Sequence, residues 1–345
     1  MKVGLAGFPG SGKSTVFSAL TGLAADPSER RTRIGTIKVP DPRVDFLGSV
    51  YSPKKQTYAE MSFVDFPPSH DTTKRQVLDA DAVSALRDAD ALVEVVRAFP
   101  GGGGGASTPV ADVDAFETEL LLADLAQVER RLERFRKEGR KDREVALFER
   151  LHEWLEGERP LRMMGLAPGE QSELAGHAFL SLRPLLIVLN VAEQVVAEPE
   201  TDDLAARATA AGAGCLVMSA QVETEVAELE VEDRAAFLAD LGLAEPARDR
   251  FIRDSYALLD LISFLTSGED ECRAWPIRRG TVARKAAGKI HSDIERGFIR
   301  AEVVAFDDLV QAGSTSAARD GGTLRLEGKD YVVQDGDIIH FRFAV

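Results

Sequence analysis

The sequence is short of cysteine, of positive charge and of long apolar runs, and each shortage excludes a class of protein. Two cysteines, Cys215 and Cys272, cannot build a disulfide framework and lack metal-ligand spacing. The five histidines offer no pair spaced for a metal ion either. No stretch approaches ~18 uninterrupted apolar residues, so no membrane span is expected. The residues after Met1 lack a basic region followed by an apolar signal run. Lysine and arginine total 42 against 57 aspartate and glutamate, a formal net charge of −15. So acidic a chain makes a poor general coat for nucleic acid, and no DNA sequence specificity is expected. A soluble, reduced, cytoplasmic protein is the expectation.

What is present is length and apolar material. With 345 residues, 44% of them hydrophobic, the chain can form two or three domains with sizeable cores, and wholesale disorder is excluded. Short apolar runs at Lys2–Ala6, Met61–Val64, Ala91–Val96, Leu185–Leu189 and Cys215–Met218 alternate with helical patterns, which predicts an α/β domain with a mainly parallel sheet. The glycine run Gly101–Gly105 reads as a flexible loop. After it, Leu121, Leu125, Val128, Leu132 and Phe135 recur at spacings of four and three. Val145, Phe148, Leu151 and Leu155 repeat the stripe beyond the polar break Gly139-Arg140-Lys141. Two amphipathic helices folded back as an inserted antiparallel coiled coil are predicted. From Arg273 onward, β-like runs at Ile299–Val304, Thr323–Leu326, Tyr331–Val333 and Ile338–Phe343, with a helical stretch at Ala283–His291, predict a small separate α+β domain.

The chemistry concentrates near the amino end. Gly7, Phe8, Pro9, Gly10, Ser11, Gly12, Lys13 and Ser14 match the phosphate-loop pattern GxxxxGK[ST] in full, between a predicted strand and a predicted helix that runs on through Thr15. The glycines let backbone N–H groups turn inward around phosphates, Lys13 reaches the β and γ oxygens, and the Ser14 hydroxyl is a ligand for Mg²⁺. The helix aims its positive end at the same anion. Asp65 ends the strand Met61–Val64, the position from which a P-loop enzyme holds Mg²⁺ through water; an ordinary turn aspartate is the alternative. In GTP-binding switches this aspartate opens a DxxG pattern whose glycine N–H meets the γ-phosphate. Here the sequence is Asp65-Phe66-Pro67-Pro68, and Pro68 has no N–H to give. Asn190-Val191-Ala192-Glu193 stands where the guanine-recognition motif NKxD is expected. Val191 replaces its lysine and Glu193 its aspartate, which makes a close two-bond grip on guanine doubtful. Met218-Ser219-Ala220 fits the short turn that supports the base. Just past Pro68, His70 is the side chain that could orient an attacking water, although a solvated loop histidine is the simpler reading.

These motifs resemble those of the YchF/Obg-like ATPase subfamily of translation-factor-related P-loop NTPases, over nearly the whole chain. Besides the loop, the marks are Val39-Pro40-Asp41-Pro42-Arg43, the NxxE form at Asn190–Glu193 and Met218-Ser219-Ala220. Most specific are Arg273-Ala274-Trp275, Ala286–Asp293, Gly297–Glu302 and Glu327–Asp337. The resemblance implies a G-type nucleotide domain (1–112 and 176–260), a coiled-coil insertion (113–175) and a C-terminal β-grasp module of the TGS type (261–345). It also implies ATP preferred over GTP, Mg²⁺ as companion, and association with ribosomes. Three departures stand out. The family's first-switch Pro-Phe-x-Thr falls near Pro27-Ser28-Glu29-Arg30, with no threonine at the matching place. Pro68 replaces the second-switch glycine. The loop Gly101–Pro109 lacks the histidine implicated in hydrolysis. A phosphate cradle with a weakened hydrolytic apparatus is therefore expected.

A partner surface is suggested by charge. Arg278, Arg279, Arg284, Lys285, Lys289, Arg296 and Arg300 lie close together against only Asp293 and Glu295. Such a patch in an acidic protein could meet ribosomal RNA phosphates through the TGS-like domain, or could be an ordinary mixed surface. On the coiled coil, Arg130, Arg131, Arg134, Arg136 and Lys137 interleave with Glu129, Glu133 and Glu138, which reads as a salt-bridged solvated face.

Overall fold

The computed structural model describes residues 1–23, 32–66, 78–100 and 107–344. The chain begins with β1 (Lys2–Ala6), a buried run, and α1 (Lys13–Thr21). β2 (Arg33–Val39) leads to α2 (Pro42–Tyr51), which starts where the Asp41 carboxylate accepts from the Arg43 N–H and Pro42 fills the first turn. The three-residue β3 (Lys55–Thr57) precedes β4 (Ala59–Asp65). Next come α3 (Ala80–Arg87), capped by Asp79, and β5 (Ala91–Ala98). The long α4 (Pro109–Glu138) stops at Gly139, and α5 (Arg143–Glu156) starts at the Asp142 cap. After α6 (Pro168–Leu174) the chain alternates through β6 (Leu185–Val191), α7 (Asp202–Ala210) and β7 (Gly214–Met218). Three helices follow: α8 (Ala220–Glu228), α9 (Val231–Asp240) and α10 (Ala247–Leu258). The remainder is β8 (Leu261–Thr266), β9 (Glu271–Arg278), α11 (Ala283–Ile290), α12 (Ser292–Arg296), β10 (Phe298–Val304), α13 (Phe306–Ala312), α14 (Thr315–Asp320), β11 (Arg325–Glu327) and β12 (Ile338–Phe343).

The chain divides into two compact units, Met1–Ile37 with Ser62–Leu258, and Lys38–Met61 with Leu259–Val345. The first holds a sheet of order β2-β4-β1-β5-β6-β7. β1 pairs in parallel with β4 and β5, β5 with β6, and β6 with β7. Its central strands are apolar runs buried on both faces, as a parallel sheet under helices demands: Ala91, Leu92, Val93, Val95 and Val96 on β5 are all buried, as are Leu185–Leu189 on β6. Parallel pairing sets the carboxyl ends of the strands along one edge, where ligands of open α/β sheets bind.

The expected helical stripe forms its own core within this unit. Leu121, Val128, Leu132 and Phe135 of α4 pack with Leu147, Phe148, Leu151 and Leu155 of α5, and Phe179 joins them. Phe135 and Phe148 meet edge to face, centroids 5.6 Å apart. The hairpin is tied at its root by Asp124. Its buried carboxylate accepts from the backbone N–H of Leu180 (2.9 Å) and Ser181 (2.7 Å) and from the Ser181 hydroxyl (2.8 Å).

The second unit is a mixed sheet, β11-β10-β12-β8-β9-β3. One face is covered by α11, whose Ala283, Ala286 and Ala287 lie against Ile262, Phe264, Ile277, Val303 and Phe341. This is the small α+β arrangement expected from the C-terminal sequence, a helix laid across a mixed sheet. Two differences from that expectation arise. Tyr331–Val333 forms no strand; Val332 makes a single bridge to Val282. The segment Lys38–Met61, expected within the nucleotide domain, belongs to this unit. β3 pairs in parallel with β9, Phe46 meets Phe306 edge to face at 5.4 Å, and Arg43 is clamped between Asp41 (2.8 Å) and Asp335 (2.9 Å).

Candidate functional site

The strand β1 delivers the chain to the sheet edge at Gly7, where a side chain has no room: a Cβ there would stand 2.6 Å from the Val95 carbonyl oxygen. The loop then turns tightly, with the Ser11 N–H donating to the Phe8 carbonyl at 3.0 Å. Phe8 is buried, whereas Pro9 and Gly10 are exposed. Gly12 heads α1 with φ 85°, a left-handed conformation that glycine adopts without penalty. A Cβ on it would meet the Asn190 side-chain nitrogen at 2.2 Å. Lys13 begins the helix, and Ser14 and Thr15 are exposed in its first turn. That turn holds no acidic residue of its own; the negative charge beside the positive end of the helix comes from Asp65 on β4.

Asn190, at the end of β6, joins the loop to the next strand's turn. Its amide donates to the Ser11 carbonyl at 3.0 Å, and its carbonyl accepts from the Ala220 N–H at 3.0 Å. Ser219 caps α8, its hydroxyl accepting from the Val222 N–H. Val191 is buried, and Glu193 is half-buried in a single turn of 3-10 helix, Glu193–Val195. The fold thus gathers Ser11, Gly12, Asn190, Ser219 and Ala220 at one edge.

Asp65, at the end of β4, is nearly buried and heavily engaged. Lys13 pairs with its Oδ1 and also donates to the Phe66 carbonyl. Its Oδ2 accepts from Arg33, through Nε at 3.2 Å and through an Nη, and lies 3.5 Å from the Ser14 hydroxyl. Burial lowers the pKa of Lys13, and the neighbouring Asp65 charge opposes that shift. Arg33 stacks its guanidinium 4.6 Å from the centre of the Phe17 ring. Sequence reasoning missed Arg33. The available signal was an arginine at the start of a strand that neighbours the strand ending in Asp65.

The other sequence expectations separate cleanly. His70, Pro68, the stretch Pro27–Arg30 and Gly101–Gly105 lie outside the described residues. His152 faces Glu129 and Glu156 on the hairpin, and His291 caps α12 by accepting from the Asp293 N–H at 3.2 Å. Among the described residues no group of three His, Cys, Asp or Glu could hold a metal ion, and no helix is long and apolar enough to cross a membrane.

Residues 261–344 match the YchF-GTPase_C family model, described as "Protein of unknown function (DUF933)". The chain is also 38% identical to the ribosome-binding ATPase YchF of Bacillus subtilis, over 100% of both chains. The chain belongs to the YchF family. The ribosome-binding ATPase YchF of Haemophilus ducreyi is likewise 38% identical, over 100% of this chain and 99% of that one. The YchF GTPase of Schizosaccharomyces pombe matches with a TM-score of 0.86 at 28% identity, over 99% of this chain and 97% of its own. The YchF assignment therefore covers the P-loop unit, the hairpin and the β-grasp unit together.

Proposed function

We propose that this YchF-family chain binds a purine nucleoside triphosphate on Gly7–Thr15, prefers ATP to GTP, hydrolyses it slowly, and acts on ribosomes in the cytoplasm. The observation that carries the reading is the loop itself: it is pinned from below by Asn190, closed to side chains at Gly7 and Gly12, and followed by Lys13 at an open helix terminus. Such a frame presents inward-turned N–H groups to an anion without rearranging. Lys13 must then exchange its partner Asp65 for the β and γ phosphate oxygens, where its charge opposes the negative charge that develops during transfer.

For Mg²⁺ the donors fit only in part. The Ser14 hydroxyl and the Asp65 carboxylate are hard oxygen ligands of the right kind. The Asp65 oxygens, however, are already engaged by Lys13 and Arg33. The alternative is a nucleotide-gated adaptor that does not turn over, and the engagement of Asp65 favours it. At the base, Val191 and Glu193 in place of lysine and aspartate favour ATP, as do the relatives called ribosome-binding ATPases.

The basic patch supports ribosomal RNA contact less strongly than its composition suggests. Arg279 pairs with Asp260, Lys285 with Glu295 and Arg296 with Asp293, leaving Arg278, Arg284, Lys289 and Arg300 as its exposed cations without an ion pair among the described residues, Arg284 donating only to the Glu295 backbone carbonyl. On the coiled coil, Arg131 and Arg140 pair with Glu144, and Arg134 with Glu138.

Calorimetry on nucleotide-free protein, with ATP and GTP in competition, tests the reading. ATP is expected to bind more tightly, and Lys13→Ala to weaken binding by about tenfold or more. Single-turnover hydrolysis separates the two forms: phosphate release by the parent alone supports the enzyme, and none from either supports the adaptor. Ribosome pelleting that ignores ATP, ADP and Lys13→Ala would leave the nucleotide with no role in ribosome binding.

A further inference from the structure

We infer that Arg33 is the built-in cation of this phosphate site, and that the chain therefore binds nucleoside triphosphate with little dependence on Mg²⁺. The inference rests on the reading of Gly7–Thr15 as the nucleotide loop. It goes beyond that reading by naming the charge that accompanies the nucleotide.

A metal ion in such a site needs two oxygen donors, the hydroxyl at the end of the loop and the carboxylate at the end of the neighbouring strand. Here those donors are Ser14 and Asp65, and the oxygen of Asp65 that lies 3.5 Å from the Ser14 hydroxyl is Oδ2. That same oxygen accepts from Arg33 through Nε at 3.2 Å and through an Nη. The other oxygen, Oδ1, pairs with Lys13. When Lys13 turns to phosphate, Oδ1 is released, but Oδ2 stays with Arg33. The guanidinium thus holds the corner between Ser14 and Asp65 that the metal's water would share.

Arg33 is not a surface arginine caught in one rotamer. Its side chain is 13% exposed, and its guanidinium lies 4.6 Å from the Phe17 ring centre, itself fully buried. Stacking and the two-nitrogen grip on a carboxylate both fix a planar guanidinium. A divalent cation beside it is repelled, and a polyphosphate beside it is attracted. In this site the guanidinium supplies the neutralising charge that a metal would bring, but it offers no open coordination position for a water nucleophile.

The experiment is calorimetry of ATP binding to the full chain, once in Mg²⁺ and once in EDTA, with Arg33→Ala alongside. The expected result is a parent affinity that differs by less than about threefold between the buffers. For Arg33→Ala, ATP should bind at least about tenfold more tightly with Mg²⁺ than with EDTA, because Asp65 is then released to the metal. A parent chain that loses about tenfold or more in EDTA overturns the proposal, and so does an Arg33→Ala chain as indifferent to Mg²⁺ as its parent. Parent protein that binds ATP in neither buffer removes the nucleotide reading itself, a distinguishable failure that takes this inference with it. Circular dichroism checks the fold of the variant. If Arg33→Ala does not fold, Arg33→Gln takes its place under the same criteria, since it keeps much of the stem over Phe17 and removes the charge.

Discussion

Asn190 stands where the sequence suggests a base-recognition motif, yet both ends of its amide are spent on the protein. It bonds the Ser11 carbonyl and the Ala220 N–H, each at 3.0 Å, and is almost fully buried. Asn190→Ala leaves two buried backbone groups unsatisfied, at roughly 1–3 kcal/mol each. The expected outcome is about 2–6 kcal/mol less stability in urea and a clear loss of nucleotide affinity, because the loop loses its support. A variant that melts and binds like its parent would show that Asn190 does not hold the loop. Glu94 makes the opposite case. It lies on β5, fully buried, with neither carboxylate oxygen hydrogen-bonded among the described residues. Burial, reinforced by Glu117, Asp112 and Glu119, raises its pKa well above the ordinary value near 4.5. The folded state therefore retains a proton that the unfolded chain gives up above that pH. The sign follows directly: this residue's contribution to stability falls as pH rises from about 4.5 towards the folded pKa, by up to about 1.4 kcal/mol per pH unit. Glu94→Leu should exceed the parent in stability, with a gap that widens as pH rises above about 4.5. A gap independent of pH in denaturant melts would refute this account.

At the scale of elements, the hairpin and the phosphate edge draw on different side chains. The hairpin core is Phe135, Phe148, Phe179 and their leucine neighbours, none of which belongs to the loop or to its supports. Phe148→Ala should cost about 3–5 kcal/mol of local stability. Hydrogen exchange should quicken along α4 and α5, while ATP affinity stays within about threefold of the parent. A tenfold fall in affinity would mean that the two elements are coupled. This separation also shows what was legible in the sequence. The tight turn of the loop could be read because a close backbone approach and a left-handed conformation call for glycine at Gly7 and Gly12, and the hairpin because its apolar residues keep a helical period. Asp65 and Asn190 could be placed because each ends a continuous apolar run. Arg33 could not be placed, because its partner lies 32 positions away and meets it only through the adjacency of β2 and β4. Tyr331–Val333 misled because it carries β-forming residues, but they make only one bridge.

At the scale of the whole molecule, the sequence puts one boundary near residue 261, and the family model begins there too. The second unit nevertheless takes in Lys38–Met61, contributed from before the hairpin. That segment supplies the edge strand β3 beside β9, the α2 helix that packs on β9, the Phe46–Phe306 contact and the Arg43–Asp335 pair. A chain of residues 259–344 alone would leave β9 as an open edge and Asp335 without its arginine. Asp335 is about half exposed, so the ion pair itself adds little. The larger losses are the apolar contact of α2 and the open edge, which invites pairing with other chains. The isolated C-terminal piece should therefore melt at least about 10 °C below the same piece joined to residues 38–61 through a short flexible linker. It should also associate at high concentration where the joined form stays monomeric, as light scattering and thermal circular dichroism can read. Equal melting temperatures and equal monodispersity would mean that residues 259–344 form a self-sufficient unit, and that the earlier segment only decorates its edge.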